Sequence, residues 1–140
     1  MNEESKNKIK RSITIIMRIL IIEDNHYMVS KIISALPDRF PEHVDLITVV
    51  PELTQANDLF EHNDYHWNLL LIDHDLPGGG NGTWFLKNYK DRFNYIIAIS
   101  SIPENNKRLM ENGAHDQVLK MEKGFEKIII KKIKQYEKKL

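Results

Sequence analysis

The stretch Leu69–Gly80 reads LLLIDHDLPGGG. Four apolar residues, Leu69 to Ile72, stop at Asp73-His74-Asp75, and a proline and three glycines follow. An uninterrupted short apolar run is the mark of a strand buried on both faces. Two carboxylates at its end, followed by a turn, place polar chemistry just beyond the strand.

The same grammar recurs along the chain. Ile19–Ile22 is apolar and ends at Glu23-Asp24. Val44–Val50 is rich in β-formers, and Tyr95–Ile99 is a further apolar run ending at Ser100-Ser101. Val118-Leu119 is a short strand ending at Lys120. Between these lie segments of helical spacing. Met28, Val29, Ile32, Ile33 and Leu36 form one, closed by Pro37. Leu53, Ala56, Leu59 and Phe60 form the next. Thr83 is placed to cap a helix carrying Trp84, Phe85, Leu86 and Tyr89, aromatic residues read as core. Pro103-Glu104 opens a helix that Gly113 stops. Phe125, Ile128, Ile129, Ile133 and Tyr136 form the stripe of a last helix. Strand and helix alternate five times, which predicts an α/β fold with a parallel sheet covered on both faces.

With 140 residues, 41% hydrophobic and 29% charged, the chain has the size and composition of one soluble globular domain. Residues 1–16 read as a polar, disordered or extended segment, and residues 17–140 as the domain. Cysteine is absent, which excludes disulfides and thiolate metal sites and fits the cytoplasm. No run of about 18 apolar residues predicts a membrane span, and Ile13–Ile22 lacks the cleavage site of a signal peptide. Net charge is zero but segregated: residues 19–119 hold fifteen acids against seven Lys/Arg, and residues 120–140 hold eight lysines against three glutamates. The acidic middle argues against nucleic-acid binding by the main body. The basic end reads first as a solvated helix face and second as a partner surface.

In open parallel sheets, ligands sit beyond the carboxyl ends of the strands. There the sequence places Glu23-Asp24, Asp73-His74-Asp75, Ser100-Ser101 and Lys120. Crowded carboxylates resist ionisation, and a hard divalent cation such as Mg²⁺ relieves that. Carboxylates, a cation, a hydroxyl and an amine can together hold a phosphoryl group, and a carboxylate can accept it as nucleophile. Neither GxxxxGK[ST] nor GxGxxG is present, so a nucleotide is not the evident donor.

Four pieces, RILIIEDN, LLLIDHDLP, IIAISS and GAHDQVLK, occur in order at these strand ends. In this the chain resembles the receiver domain of two-component response regulators, over about Arg18 to Tyr136. The resemblance implies a flavodoxin-like, doubly wound five-stranded sheet of order 2-1-3-4-5. It implies that Asp73 is the phosphoacceptor, that Glu23, Asp24, Asp73 and Asp75 hold Mg²⁺, and that Ser100 and Lys120 bind phosphoryl oxygens. It also implies a histidine kinase or phosphotransfer protein as donor, an output partner, and a possible homodimer. Gln117 stands where the family has an aromatic relay residue, and Met121 where it has a proline. The family's glycine lies eight residues after the aspartate, whereas Gly82 lies nine after Asp73. Asp75 and Ile102 hold positions that tune water access to the phosphoryl group in this family.

DHDL also resembles a receiver-like group that processes cyclic phosphates, but that group expects a histidine at the end of the fourth strand, where this chain has Ile99-Ser100-Ser101. A metal-dependent phosphoesterase and a degenerate, phosphorylation-independent binding module are therefore the alternatives. Strand alternation sets His74 opposite its neighbours, which argues against one metal taking Asp73, His74 and Asp75 together.

Overall fold

The computed structural model describes residues 17–39, 44–74, 81–120 and 122–139. Five strands and five α-helices alternate: β1 (Met17–Ile22), α1 (His26–Arg39), β2 (Val44–Val50), α2 (Leu53–Glu61), β3 (Trp67–Ile72), α3 (Gly82–Tyr89), β4 (Phe93–Ala98), α4 (Pro103–Glu111), β5 (Asp116–Gln117) and α5 (Phe125–Glu137). A short 3₁₀ turn, Lys90–Arg92, joins α3 to β4. The strands form one sheet of order β2-β1-β3-β4-β5, and every pairing is parallel. This is the doubly wound, flavodoxin-like order expected above.

Side-chain alternation builds two cores from the same strands. Ile19, Ile21, Leu69, Leu71 and Ile97 face α1 and α5, meeting Ile32 and Leu36 from the first and Ile129 and Ile133 from the second. Leu20, Ile22, Leu70, Ile72 and Ile96 face α2, α3 and α4, meeting Phe60, Phe85 and Leu109. All ten strand residues are fully buried, which is why β1 and β3 read as apolar runs rather than as alternating patterns. On the second face Phe85 lies edge-on to Phe60, with centroids 5.8 Å apart, and Phe93 does likewise at 5.5 Å.

Several boundaries differ from the sequence reading. The helix α1 runs two residues beyond Pro37, because proline's own backbone angle is helical and it does not stop the turn that follows it. The cap of α3 is Asn81, not Thr83: the Asn81 carboxamide oxygen accepts from the Trp84 amide at 3.0 Å, and the Thr83 hydroxyl donates to that same oxygen. Of the aromatic residues on α3, Phe85 is core and Tyr89 is half-buried, but Trp84 is 46% exposed. Strand β5 is the polar pair Asp116–Gln117 rather than Val118-Leu119. It lies at the sheet edge, where polar residues can join the ladder, and the Val118 amide still donates to Ala98 O at 2.8 Å. Residues 1–16, Asp75 and Met121 lie outside the described residues. Among those described, no helix is long and apolar enough to cross a membrane.

Candidate functional site

The register decides which residues meet. Ile22 pairs with Ile72, Ile72 with Ala98, and Ala98 with Gln117. The strands therefore end together, and the residues that follow them share one rim. The Asp73 amide donates to Ile22 O at 3.1 Å, which sets Asp73 beside Glu23. The Lys120 amide donates to Ser100 O at 3.2 Å, which ties the fifth strand's end to the fourth's.

Lys120 is the centre of the rim. Its Nζ donates to Asp73 Oδ2 at 2.7 Å and to both Glu23 oxygens, at 3.1 and 3.0 Å. All three residues are buried: Glu23 is 1% exposed, Asp73 6% and Lys120 8%. Glu23 Oε1 also accepts from the Asn25 amide at 3.0 Å, and Asp73 Oδ1 from the His74 amide at 2.7 Å. Burial pushes the Glu23 carboxyl up to about 7, against the pull of Lys120. Burial pulls the Lys120 ammonium down, but its hydrogen bonds to Asp73 and Glu23 outweigh this and hold it above its ordinary value.

Asp24 joins this group from the exposed side. One oxygen from each of Glu23, Asp24 and Asp73 lies within 4.8 Å of the others. Octahedral oxygens around Mg²⁺ stand about 3–4 Å apart, so modest side-chain movement brings the three acids to that spacing. Three carboxylates against one ammonium also leave negative charge that a divalent cation could balance. The donor set is all oxygen, which suits Mg²⁺ and not a thiolate- or imidazole-seeking metal. His74 is buried, and it is not among the residues whose ligand atoms converge here.

No family model matches the sequence, and no curated protein is similar to it in sequence. Solved structures are similar to it in fold. The response regulatory domain of MrkE from Klebsiella pneumoniae superposes with a TM-score of 0.71 at 16% identity, over 89% of this chain and 100% of that one. A CheY-like response regulator receiver domain protein from Methanospirillum hungatei gives 0.67 at 22% identity, over 89% and 95%. The non-phosphorylated receiver domain of the stress response regulator RcsB from Escherichia coli gives 0.69 at 20% identity, over 87% and 93%. The chain has the receiver fold.

Within that receiver fold the expected residues fall as follows. Glu23, Asp24, Asp73 and Lys120 come together. Ser100 is buried at the end of β4, where its hydroxyl oxygen accepts from the Ile102 amide at 3.1 Å. Gln117, in place of the receiver's aromatic residue, is exposed on β5. Gly82 returns to the site despite its longer turn: its amide donates to His74 O at 2.8 Å, and a Cβ added to it would lie 2.7 Å from Asp73 O.

One residue of the rim escaped the sequence reading. Asn106, in α4, is fully buried. Its Oδ1 accepts from the Ser100 amide at 2.8 Å, and its Nδ2 donates to Ser100 O at 3.2 Å and to Val118 O at 3.1 Å. It clamps the two strand ends that carry Ser100 and Lys120. The only signal was an asparagine at a position that helical periodicity turns inward. Asn106→Ala removes the partner of the Ser100 amide and of Val118 O and takes from Ser100 O one of its two donors, the Lys120 amide remaining; it is expected to cost about 3 kcal/mol, measured by urea denaturation, with faster hydrogen exchange at Ser100. A cost below about 1 kcal/mol would show that the clamp is dispensable.

Proposed function

We propose that this chain is a phosphoacceptor response regulator in a two-component phosphorelay. It takes a phosphoryl group onto Asp73 from a histidine kinase or phosphotransfer protein and signals through a partner. The supporting observation is the buried Glu23–Lys120–Asp73 cluster, with Asp24 beside it, at the strand ends of a receiver-fold sheet. The setting proposed is the cytoplasm.

An Asp73 carboxylate oxygen attacks phosphorus, a P–O bond forms, and the P–N bond to the donor imidazole breaks as the imidazole leaves with a proton. Lys120 already lies 2.7 Å from the Asp73 carboxylate, within reach of the arriving phosphoryl oxygens. Ser100 supplies a hydroxyl to another of them. Glu23, Asp24, Asp73 and Asp75 are the residues proposed to hold Mg²⁺, which when bound neutralises charge on the transferring group. Attack of water on the same phosphorus then breaks the Asp73 O–P bond, releases inorganic phosphate and restores the carboxylate, so acceptance and release are both the chain's own activities.

Intact mass after incubation with acetyl phosphate and Mg²⁺ tests this. The expected result is a labile phosphoryl adduct on the wild type and none on Asp73→Asn. Absence of adduct on a folded, Mg²⁺-binding chain would favour the phosphoesterase, and absence of both would favour a phosphorylation-independent module.

Asp24 separates the metal role from the structural one. It is exposed, unlike Glu23. Asp24→Asn is therefore expected to leave stability within about 0.5 kcal/mol while weakening Mg²⁺ binding at least about tenfold and suppressing adduct formation. Unchanged Mg²⁺ affinity, read by titration calorimetry, would remove Asp24 from the site.

A further inference from the structure

Strand β5 is two residues long, and a side chain extends its contact with β4. Ile96 on β4 turns its amide and carbonyl toward the fifth strand. The carbonyl accepts from the His115 amide at 2.8 Å, and the amide donates to His115 Nδ1 at 2.9 Å. The imidazole thus supplies an acceptor that the short strand does not reach. Ile96 is fully buried, so its amide depends on that acceptor. The His115 ring also lies against Tyr95, with centroids 5.5 Å apart and planes 20° apart, and Tyr95 stacks on Tyr136 of α5 at 5.0 Å.

We propose that His115 is a pH-sensitive latch on this edge of the sheet: the neutral imidazole closes the rung to Ile96, and the protonated one opens it. Nδ1 accepts only while it carries no proton. A proton there sets N–H against N–H and leaves a buried amide without a partner, which is costly. Burial lowers the His115 imidazole from its ordinary value, in the direction this geometry requires. A histidine lowered on folding contributes fully above about pH 6.5, and that contribution is lost as pH falls through its folded value. His115 is exposed as a residue, so solvent protons reach it. It begins the segment that ends at Lys120, so the latch opens the β4–β5 seam on the approach to the rim.

The surrounding groups do not supply this switch. Asp116 of β5 accepts from the Tyr95 hydroxyl at 3.0 Å and from Lys132 of α5 at 2.8 Å. Burial raises its carboxyl, but the bonds from Lys132, the Gln117 amide and Tyr95 outweigh this and hold it below its ordinary value, ionised and paired. Burial raises the phenols of Tyr95 and Tyr136, so both stay neutral. Lys90, whose side chain packs against Gly113, and Arg108 and Glu111 in the last turn of α4 complete the charged neighbours. Histidine is the side chain among them whose ordinary titration lies between about pH 5 and 8.

An NMR titration of the full chain from about pH 8 to about pH 5 tests the latch. At high pH the His115 ring is expected to carry its proton on Nε2 alone, read from the ring nitrogen shifts. Its midpoint is expected below 6.5, and the Ile96 amide proton is expected to move upfield with the same midpoint. Protection of that amide from hydrogen exchange, corrected for the intrinsic rate, should fall at least about tenfold. His115→Gln carries an acceptor that does not titrate, and its Ile96 resonance is expected to stay in place. A merely structural histidine would give no shared midpoint. An Ile96 resonance that does not follow His115 would overturn the proposal, as would a His115 midpoint at or above 6.5. So would an Ile96 transition that persists in His115→Gln, which would assign it to another group such as Glu23, whose carboxyl burial raises to about 7.

Discussion

Replacing Lys120 with methionine is expected to lower stability at neutral pH by about 3–5 kcal/mol, the cost of removing one partner from a buried ion pair. Methionine keeps the length of the side chain, so the loss is of charge and hydrogen bonds rather than packing. It leaves Glu23 and Asp73, both buried, facing each other without the ammonium that now donates to both. The sign of the pH dependence follows from Glu23. Its carboxyl is raised in the folded state to about 7 from 4.5, chiefly by burial. A raised acid stabilises the fold fully below its unfolded value and loses that contribution as pH rises through its folded value. Without Lys120 the carboxyl rises further. The deficit of Lys120→Met is therefore smallest well below pH 7, where Glu23 is protonated in both folded chains, and grows as pH rises through 7 and beyond. Urea denaturation across that range measures it. A deficit below about 1 kcal/mol at pH 8 would mean that Lys120 does not neutralise the acids.

Gly82→Ala is expected to cost about 3 kcal/mol, at the upper end for overpacking a close-packed site. Its Cβ would meet Asp73 O at 2.7 Å, Leu109 Cδ2 at 2.9 Å and His74 Cα at 3.2 Å. The Leu109 side chain can give way, but the Asp73 and His74 contacts are backbone. Relief moves the segment that holds the proposed acceptor 2.7 Å from Lys120 Nζ, so slower adduct formation with acetyl phosphate should accompany the lost stability. In a helix without such contacts, Gly→Ala would stabilise by about 0.4–1 kcal/mol through the unfolded chain. A stabilised Gly82→Ala would show that α3 does not approach Asp73 this closely.

The fold was legible because its central strands are buried on both faces. Ile19–Ile22 and Leu69–Ile72 have no polar residue, and that pattern with intervening helical spacing leaves few topologies beyond a parallel sheet. The strand order came with the resemblance rather than from periodicity. Strand β5 was misplaced because an edge strand needs no apolar run, so Val118-Leu119 drew attention from Asp116-Gln117. The cap at Asn81 was missed because Thr83 has the same capping chemistry, and only the fold shows which oxygen reaches Trp84. Trp84 was read inward because helical spacing gives a face without saying how wide its buried sector is.

At the site, Glu23, Asp24, Asp73 and Lys120 could be gathered from the rule that strand ends hold the ligands. Their mutual pairing could not, because Glu23 and Lys120 are 97 residues apart. The sequence suggested a lysine awaiting a phosphoryl group; in the structure that lysine is shared between two carboxylates. Asn106 was invisible for a related reason. Its three hydrogen bonds go to backbone groups, and backbone partners leave no trace in side-chain pattern.

The most direct test locates the phosphoryl group itself. The chain is incubated with acetyl phosphate and Mg²⁺, treated with borohydride, digested and mapped by mass spectrometry. Borohydride reduces an acyl phosphate to the alcohol, so a phosphorylated aspartate is read as homoserine. Homoserine at position 73, dependent on both donor and Mg²⁺, is the expected result. Homoserine at another position, or none from a folded chain that binds Mg²⁺, would contradict Asp73 as the phosphoacceptor.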